Sequence, residues 1–343
     1  MAPRIEQTVH DTRMYACETR VVAGLGSINL IPSELERCGI QRPALVVDQG
    51  IAEAGLIEQW LPTEVACIEP RIICPMNPNL QQVQAGVDTA RPKGCDGVLI
   101  VGGGSAICMG KAIAICLVNH GDLLDYEGSE KIDKVSFMHS RPSYFEVLIV
   151  TAASAHHLRT YDGRIRLRSF TSFSPSLDAI SHACESLWSR NRSLITDGLA
   201  EKALETFLTR LPAALNHREL DALQDIMEAS SAANLACGNT GLALCHAMNA
   251  SPDVALPHGY VNGCLLTAVA SFNRPFMDER HQSMVDRLPS LFAEIGWQAK
   301  FAKGEVDRDT TELFVNASRD HPFRNNNIRS SSGESIQYDV LLS

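Results

Sequence analysis

The sequence predicts an α/β domain with a parallel sheet over residues 1–160, followed by an all-α domain over residues 161–343. Three observations carry this expectation. The 343 residues exceed what one hydrophobic core usually accommodates. Up to about residue 150, short apolar runs alternate with helical stretches, the signature of strands joined by crossover helices. Beyond Asp178, helix formers dominate in long periodic segments.

Taken in order, ALVVD (44–48) and GVLIV (97–101) are apolar runs of the buried-strand type. Between them NLQQVQAGVDTARPKG sets Leu80, Val83, Val87 and Ala90 at helical spacing. Residues 151–176 have no clear period and hold the domain junction. Next come AISHACESLWS, which reads as a helix starting at Asp178, ITDGLAEKALETFLTRLPAAL, LDALQDIMEASSAANLAC and QSMVDRLPSLFAEIGW. All are long and periodic. The ending NNNIRSSSGESIQYDVLLS is polar and loosely held.

Composition narrows the function. A hydrophobic fraction of 45% and a charged fraction of 20% belong to an ordinary globular protein. Thirty basic against forty acidic residues give a formal charge of −10, which argues against nucleic-acid or anionic-membrane partners. Eleven cysteines without a C-x-x-C pair read as packed, reduced thiols. The first thirty residues lack the apolar core of a signal peptide, and the longest apolar stretch is broken by a run of three glycines and by Lys111. A cytoplasmic protein acting on small molecules is the expectation.

Gly102, Gly103, Gly104 and Ser105 directly follow a predicted strand and open a predicted helix. Backbone N–H groups without side chains can approach a diphosphate there, and the helix N-terminus adds partial positive charge. The competing reading is a tight strand-to-helix turn with no ligand. Asp48 closes its strand where a carboxylate could accept from ribose hydroxyls and repel a 2′-phosphate, favouring NAD over NADP. Its competing reading is a turn cap.

Asp178 and His182 lie four residues apart and share a helix face. GLALCHAMNASPDVALPHGYVNG adds His246 and His258. Three imidazoles and one carboxylate suffice for Fe²⁺ or Zn²⁺, although a lone histidine in such a place is more often a core residue. No G-x-S-x-G and no triad order suggest a side-chain nucleophile.

The motifs VVAGLGSI, VVDQG, NPNLQQVQAGVDTARPKGCDGVLIVGGGSAI, NHGDLLDYEG, DAISHACE, GLALCHAM, LPHGYVNG and HPFRNNNIR, in that order, resemble the iron-containing (group III) alcohol dehydrogenase family. LDAISHACESLWS is similar in wording to members that reduce small aldehydes, phosphonoacetaldehyde reductase-like proteins among them. The resemblance implies an N-terminal α/β dinucleotide-binding domain, a C-terminal helical domain that binds metal and substrate, and a divalent metal in the cleft between them, with Asp178, His182, His246 and His258 as ligands. It places cofactor phosphates on Gly102, Gly103, Gly104 and Ser105 and ribose on Asp48. Implied too is hydride transfer between a nicotinamide and an alcohol or aldehyde carbon, with the metal as Lewis acid, in a dimer or larger homo-oligomer.

Against the family pattern, a hydroxyl- and glycine-rich segment like TTAGTGSE reads VTAASAHHLRT here, leaving Thr151, Ala152, Ala153 and Ser154 as its remnant. Thr151 and Ser154 are the cofactor-binding candidates within it. The stretch from there to Asp178 is shortened, which removes a hairpin-like part of the nucleotide domain. Ala250 stands where a further histidine is usual, Cys108 where an aspartate is usual, and the loop to His258 is short. Two alternatives therefore accompany the dehydrogenase reading: a catalytically silent relative that binds nucleotide or a protein partner, and a dehydroquinate synthase-like lyase.

Overall fold

The computed structural model describes residues 15, 20–24, 26–119, 121–126, 146–150, 158–161, 164–167, 173–251, 254, 256–319 and 321–330. The chain divides into two compact units, one spanning Val22–Ser172 and the other built on Phe173–Ser343.

The first unit runs α1 (Ile31–Arg37), β1 (Pro43–Asp48), three short helices α2 (Gln49–Glu53), α3 (Ile57–Trp60) and α4 (Thr63–Ala66), then β2 (Arg71–Cys74), α5 (Leu80–Ala90), β3 (Gly97–Gly102), α6 (Gly104–Val118) and β4 (Glu146–Val150). The strands form one parallel sheet in the order β2-β1-β3-β4, with Leu45 opposite Leu99 and Val98 opposite Glu146. Both predicted strands are buried throughout. Their side chains alternate between two cores. Leu45, Val47, Leu99 and Val101 pack with Ile31, Leu35, Ile51 and Leu56 on one face. Ala44, Val46, Val98 and Ile100 pack with Val83, Val87, Met109 and Ile113 on the other. A strand that is apolar on both faces has to be covered twice, and that requirement gives the doubly wound layers.

A capping box starts α5, in which Asn79 and Gln82 each accept from the other's backbone N–H. The sequence reading did not foresee β2, a four-residue edge strand that leaves Ile73 exposed. Nor did it foresee the antiparallel hairpin of β5 (Leu158–Tyr161) and β6 (Arg164–Leu167), with Leu158 opposite Leu167. The expected loss of a hairpin is thus corrected: a two-stranded ribbon of four residues per strand needs little chain.

In the second unit the order is α7 (Phe173–Leu187), α8 (Leu194–Pro212), α9 (Leu220–Thr240), α10 (Leu244–Met248), α11 (His258–Asn273), α12 (Glu279–Val285), α13 (Leu288–Glu294), α14 (Arg308–Arg319) and α15 (Pro322–Asn326). Helix α7 is central, with Leu177, Ile180, Ala183, Cys184 and Leu187 sunk among Phe207, Ala233, Val261 and Leu265. It starts five residues before Asp178 because Phe173-Ser-Pro supplies a first turn, where a proline takes no needed N–H away. The stretch QSMVDRLPSLFAEIGW is divided between two helices. Pro289 can enter only the first turn of a helix, so α12 ends and α13 begins around it. Among the described residues, no helix is long and apolar enough to cross a membrane.

Candidate metal centre and cofactor turn

Helix α7 carries Asp178, His182 and Glu185 on one side of its surface, α10 carries His246 as its third residue, and α11 begins with His258. Close approach of α11 to α7 depends on two glycines. A Cβ on Gly259 would lie 2.0 Å from the carbonyl oxygen of Ser174, and one on Gly263 would lie 2.6 Å from Leu177 Cδ1. Helices that meet through glycine bring the side chains beside the contact within bonding range, here Asp178 and His258. Gly259→Ala is therefore expected to force α11 outward. A loss of about 2 kcal/mol in thermal or denaturant unfolding is expected from overpacking against backbone.

The ligand-type atoms converge. His246 Nε2 and His258 Nε2 each lie 3.5 Å from Asp178 Oδ1. Among the described residues, Asp178, His246 and His258 form a cluster able to hold a metal ion, their ligand atoms all within 4.8 Å of one another. A tetrahedral ion with bonds of about 2.1 Å separates its ligands by about 3.4 Å, so the two measured edges fit a first-row divalent ion. His182 stands at the rim of this triangle. Its Nε2 is 3.8 Å from Asp178 Oδ2, and its ring stacks on that of His246 with centroids 4.9 Å apart at 17°. His182 Nδ1 is buried without a hydrogen-bond partner.

Glu185 was not singled out from the sequence, yet it organises the centre. Completely buried, its carboxylate accepts from the backbone N–H of Ala243, Cys245 and His246 and faces His246 Nδ1 at 2.7 Å. A proton held on Nδ1 by that contact leaves Nε2 as the lone-pair end aimed at Asp178. The spacing Asp178, His182, Glu185 is the signal that could have found it, since these positions recur on one helix face. Burial pushes the His246 imidazole down, but the Glu185 and Asp178 carboxylates outweigh it and raise it to about 10. Burial also raises the Asp178 carboxyl, whereas the hydrogen-bonded His246 and the surrounding imidazoles hold it well below the usual carboxylate range. Burial lowers His182 and His258. The centre accordingly combines an ionised carboxylate with two imidazoles, His182 and His258, that resist protonation, and a third, His246, held between two carboxylates.

In the first unit, β3 ends at Gly102 and α6 begins at Gly104 with no side-chain cap. Gly102 takes φ +158, and a Cβ there would lie 2.7 Å from both Asp48 Cβ and Ala106 Cβ. The absence of a side chain thus seats Asp48 against the turn. A Cβ on Gly104 would meet nothing within 4 Å, which leaves the uncapped N–H groups of α6 open to an approaching anion. Ser105 Oγ accepts from the backbone N–H of Asn77 at 3.2 Å. Asp48 is buried and caps α2, accepting from the Gly50 N–H at 2.9 Å. Cys108 is exposed about one turn into α6, and Cys74, next to Asp48 in the sheet register, has its thiol pushed by burial up to about 12. Thr151 and Ser154 lie outside the described residues.

A parallel sheet with a phosphate-type glycine turn, followed by helices that gather a carboxylate and imidazoles, defines a dinucleotide-linked metalloprotein. Family comparison narrows that class: the models "Iron-containing alcohol dehydrogenase" and "Fe-containing alcohol dehydrogenase family, C-terminal" match residues 18–155 and 173–340. The chain belongs to the iron-containing alcohol dehydrogenase family. It is 28% identical over 325 residues to a probable alcohol dehydrogenase, EutG, of Salmonella typhimurium, covering 84% of this chain and 77% of that protein. It is also 28% identical over 293 residues to a 4-hydroxybutyrate dehydrogenase of Cupriavidus necator, covering 74% and 75%. A sulfoacetaldehyde reductase from Bifidobacterium kashiwanohense, solved in complex with NAD+, shares the fold at TM-score 0.79 and 20% identity, covering 95% of this chain and 97% of that one.

Proposed function

We propose that this chain is a metal-dependent, NAD-linked oxidoreductase that interconverts a short-chain primary alcohol and its aldehyde. The observation that carries this reading is the convergence of Asp178 Oδ1, His246 Nε2 and His258 Nε2, with His182 alongside. A divalent ion, iron by family and zinc by donor type, supplies a Lewis acid for the substrate oxygen when bound, and a nicotinamide supplies or accepts the hydride. Asp178 offsets cation charge, and Glu185 fixes the His246 ring so that no ligand has to reorient.

In this reading the first domain takes the dinucleotide. Its diphosphate lies on Gly102, Gly103, Gly104 and Ser105, and its ribose on Asp48, with Thr151 and Ser154 contributing as the family pattern implies. The second domain holds the metal through Asp178, His182, His246 and His258. Relatives named for 4-hydroxybutyrate, 1,3-propanediol, methanol and sulfoacetaldehyde support a short substrate with a primary alcohol or aldehyde carbon. A cytoplasmic homo-oligomer follows from the same family habit.

The test is NADH oxidation with a panel of short aldehydes after loading with Fe²⁺ or Zn²⁺. Turnover that stops on chelation and returns with metal is expected. Metal and NADH binding without turnover of any aldehyde would favour the silent-relative reading.

Asp48 gives a separate test of the cofactor assignment. Asp48→Ala is expected to lose about 1 kcal/mol of stability with the α2 cap. Asp48→Asn keeps the acceptor but removes the charge, so it should hold stability while raising kcat/KM for NADPH relative to NADH. An unchanged ratio in both variants would remove Asp48 from the cofactor site.

A further inference from the structure

Asn262 lies one turn after His258 on α11 and is completely buried. A buried carboxamide has two N–H donors and a carbonyl to satisfy. Its Nδ2 lies 2.7 Å from Asp178 Oδ1, 3.0 Å from His246 Nε2 and 3.2 Å from His258 Nε2. These are the same three atoms that form the ligand triangle. With two N–H bonds facing three acceptors, the amide sits where all three lone pairs converge. Its Oδ1 accepts from Nδ2 of Asn249 at 2.9 Å. Asn249 Nδ2 also donates to the His258 carbonyl at 2.9 Å and lies 3.0 Å from His258 Nδ1. The buried pair Asn273 and Asn327 shows the contrasting, structural case, in which each amide bonds to the other and none of their contacts is with a ligand-type side chain.

Resting on the metal-dependent reading above, we propose that Asn262 is a fifth member of the metal site. Its carboxamide holds the ligand triangle together and, turned end for end, presents its oxygen to the cation. The two ends of a carboxamide are nearly the same size, and its terminal torsion is soft, so the turn needs no repacking. Asn249 can follow, because its own amide offers either a donor or an acceptor to the end that turns away. With its oxygen toward His258, Asn249 accepts from Nδ1–H, the tautomer that leaves Nε2 as a ligand.

The test is a titration of the purified full chain with Co²⁺, followed by visible absorption, which reports coordination number without any need for turnover. Asn262→Leu keeps the volume and removes both polar ends, while Asn262→Asp keeps the shape and an oxygen donor. Asp178→Ala serves as the control that abolishes the site. Asn262→Leu is expected to bind Co²⁺ at least roughly tenfold more weakly than the parent. Its absorption bands should also change in intensity as one ligand is lost. Asn262→Asp is expected to bind at least as tightly as the parent.

Parental affinity and spectrum in Asn262→Leu would overturn the proposal while the metal site itself stands. Weaker binding in Asn262→Asp would overturn the oxygen-donor role, and this variant decides alone if Asn262→Leu does not fold. A parent chain that binds no Co²⁺ would overturn both this proposal and the reading beneath it.

Discussion

Asp178→Ala is expected to lower aldehyde turnover at least about a thousandfold, equivalent to about 4 kcal/mol of transition-state stabilisation. The three imidazoles meet at this carboxylate: His182, His246 and His258 surround it, and Asn262 donates to it. Removing it deletes the negative ligand and leaves three imidazoles that repel once protonated. The apolar packing of α7 is untouched, because the carboxylate is partly exposed and the neighbouring Leu177, Ala179 and Ile180 carry the burial. Far-UV circular dichroism and Tm should therefore stay near the parent while kcat collapses. Parental kcat in Asp178→Ala would rule out a metal mechanism through this site.

Glu185→Ala acts by a different route and reaches further. It leaves the N–H groups of Ala243 and Cys245, along with the His246 ring, buried without their acceptor. Removing one partner from a buried charged contact costs about 4 kcal/mol, or a Tm lower by roughly 10 °C in a domain of this size. Glu185→Gln separates the two roles. Its amide refills the space, so most of the stability should return. With its oxygen in the Oε1 place, the N–H groups of Cys245 and His246 keep their acceptor, but a nitrogen in the Oε2 place cannot accept from His246 Nδ1–H, and metal affinity should fall roughly ten- to a hundredfold. Unfolding followed by Tm and metal binding followed by competition with a chelator measure the two effects independently. A Glu185→Gln chain with parental metal affinity would make Glu185 a purely structural anchor.

Several parts of this molecule were legible as sequence because they are set locally. The apolar runs that became β1 and β3, the glycine turn between β3 and α6, and the helices α7 to α9 need only periodicity and flanking glycines. The motif order that resembled iron-containing alcohol dehydrogenases is spread over the same segments, and the family match covers them. Other features were not legible because they depend on partners distant in the chain. The Glu185 carboxylate is meaningful only beside His246, 61 residues away, and Asn262 only beside Asp178, 84 residues away. β2 is too short and too exposed to stand out from its neighbours, since its four residues alternate in burial and draw their pairing from β1. Of the two sequence readings of Asp48, the structure shows the cap, on α2; its place against the glycine turn leaves the ribose contact a proposal.

The measurement that bears most directly on a resident divalent ion is elemental analysis of the chain purified without oxygen, alongside His258→Ala purified identically. About one iron or zinc per chain is expected in the parent, following from one cluster of ligands, with little retained in the variant. A parent that holds no metal and takes up neither Fe²⁺ nor Zn²⁺, or a His258→Ala chain as fully loaded as the parent, would contradict the assignment.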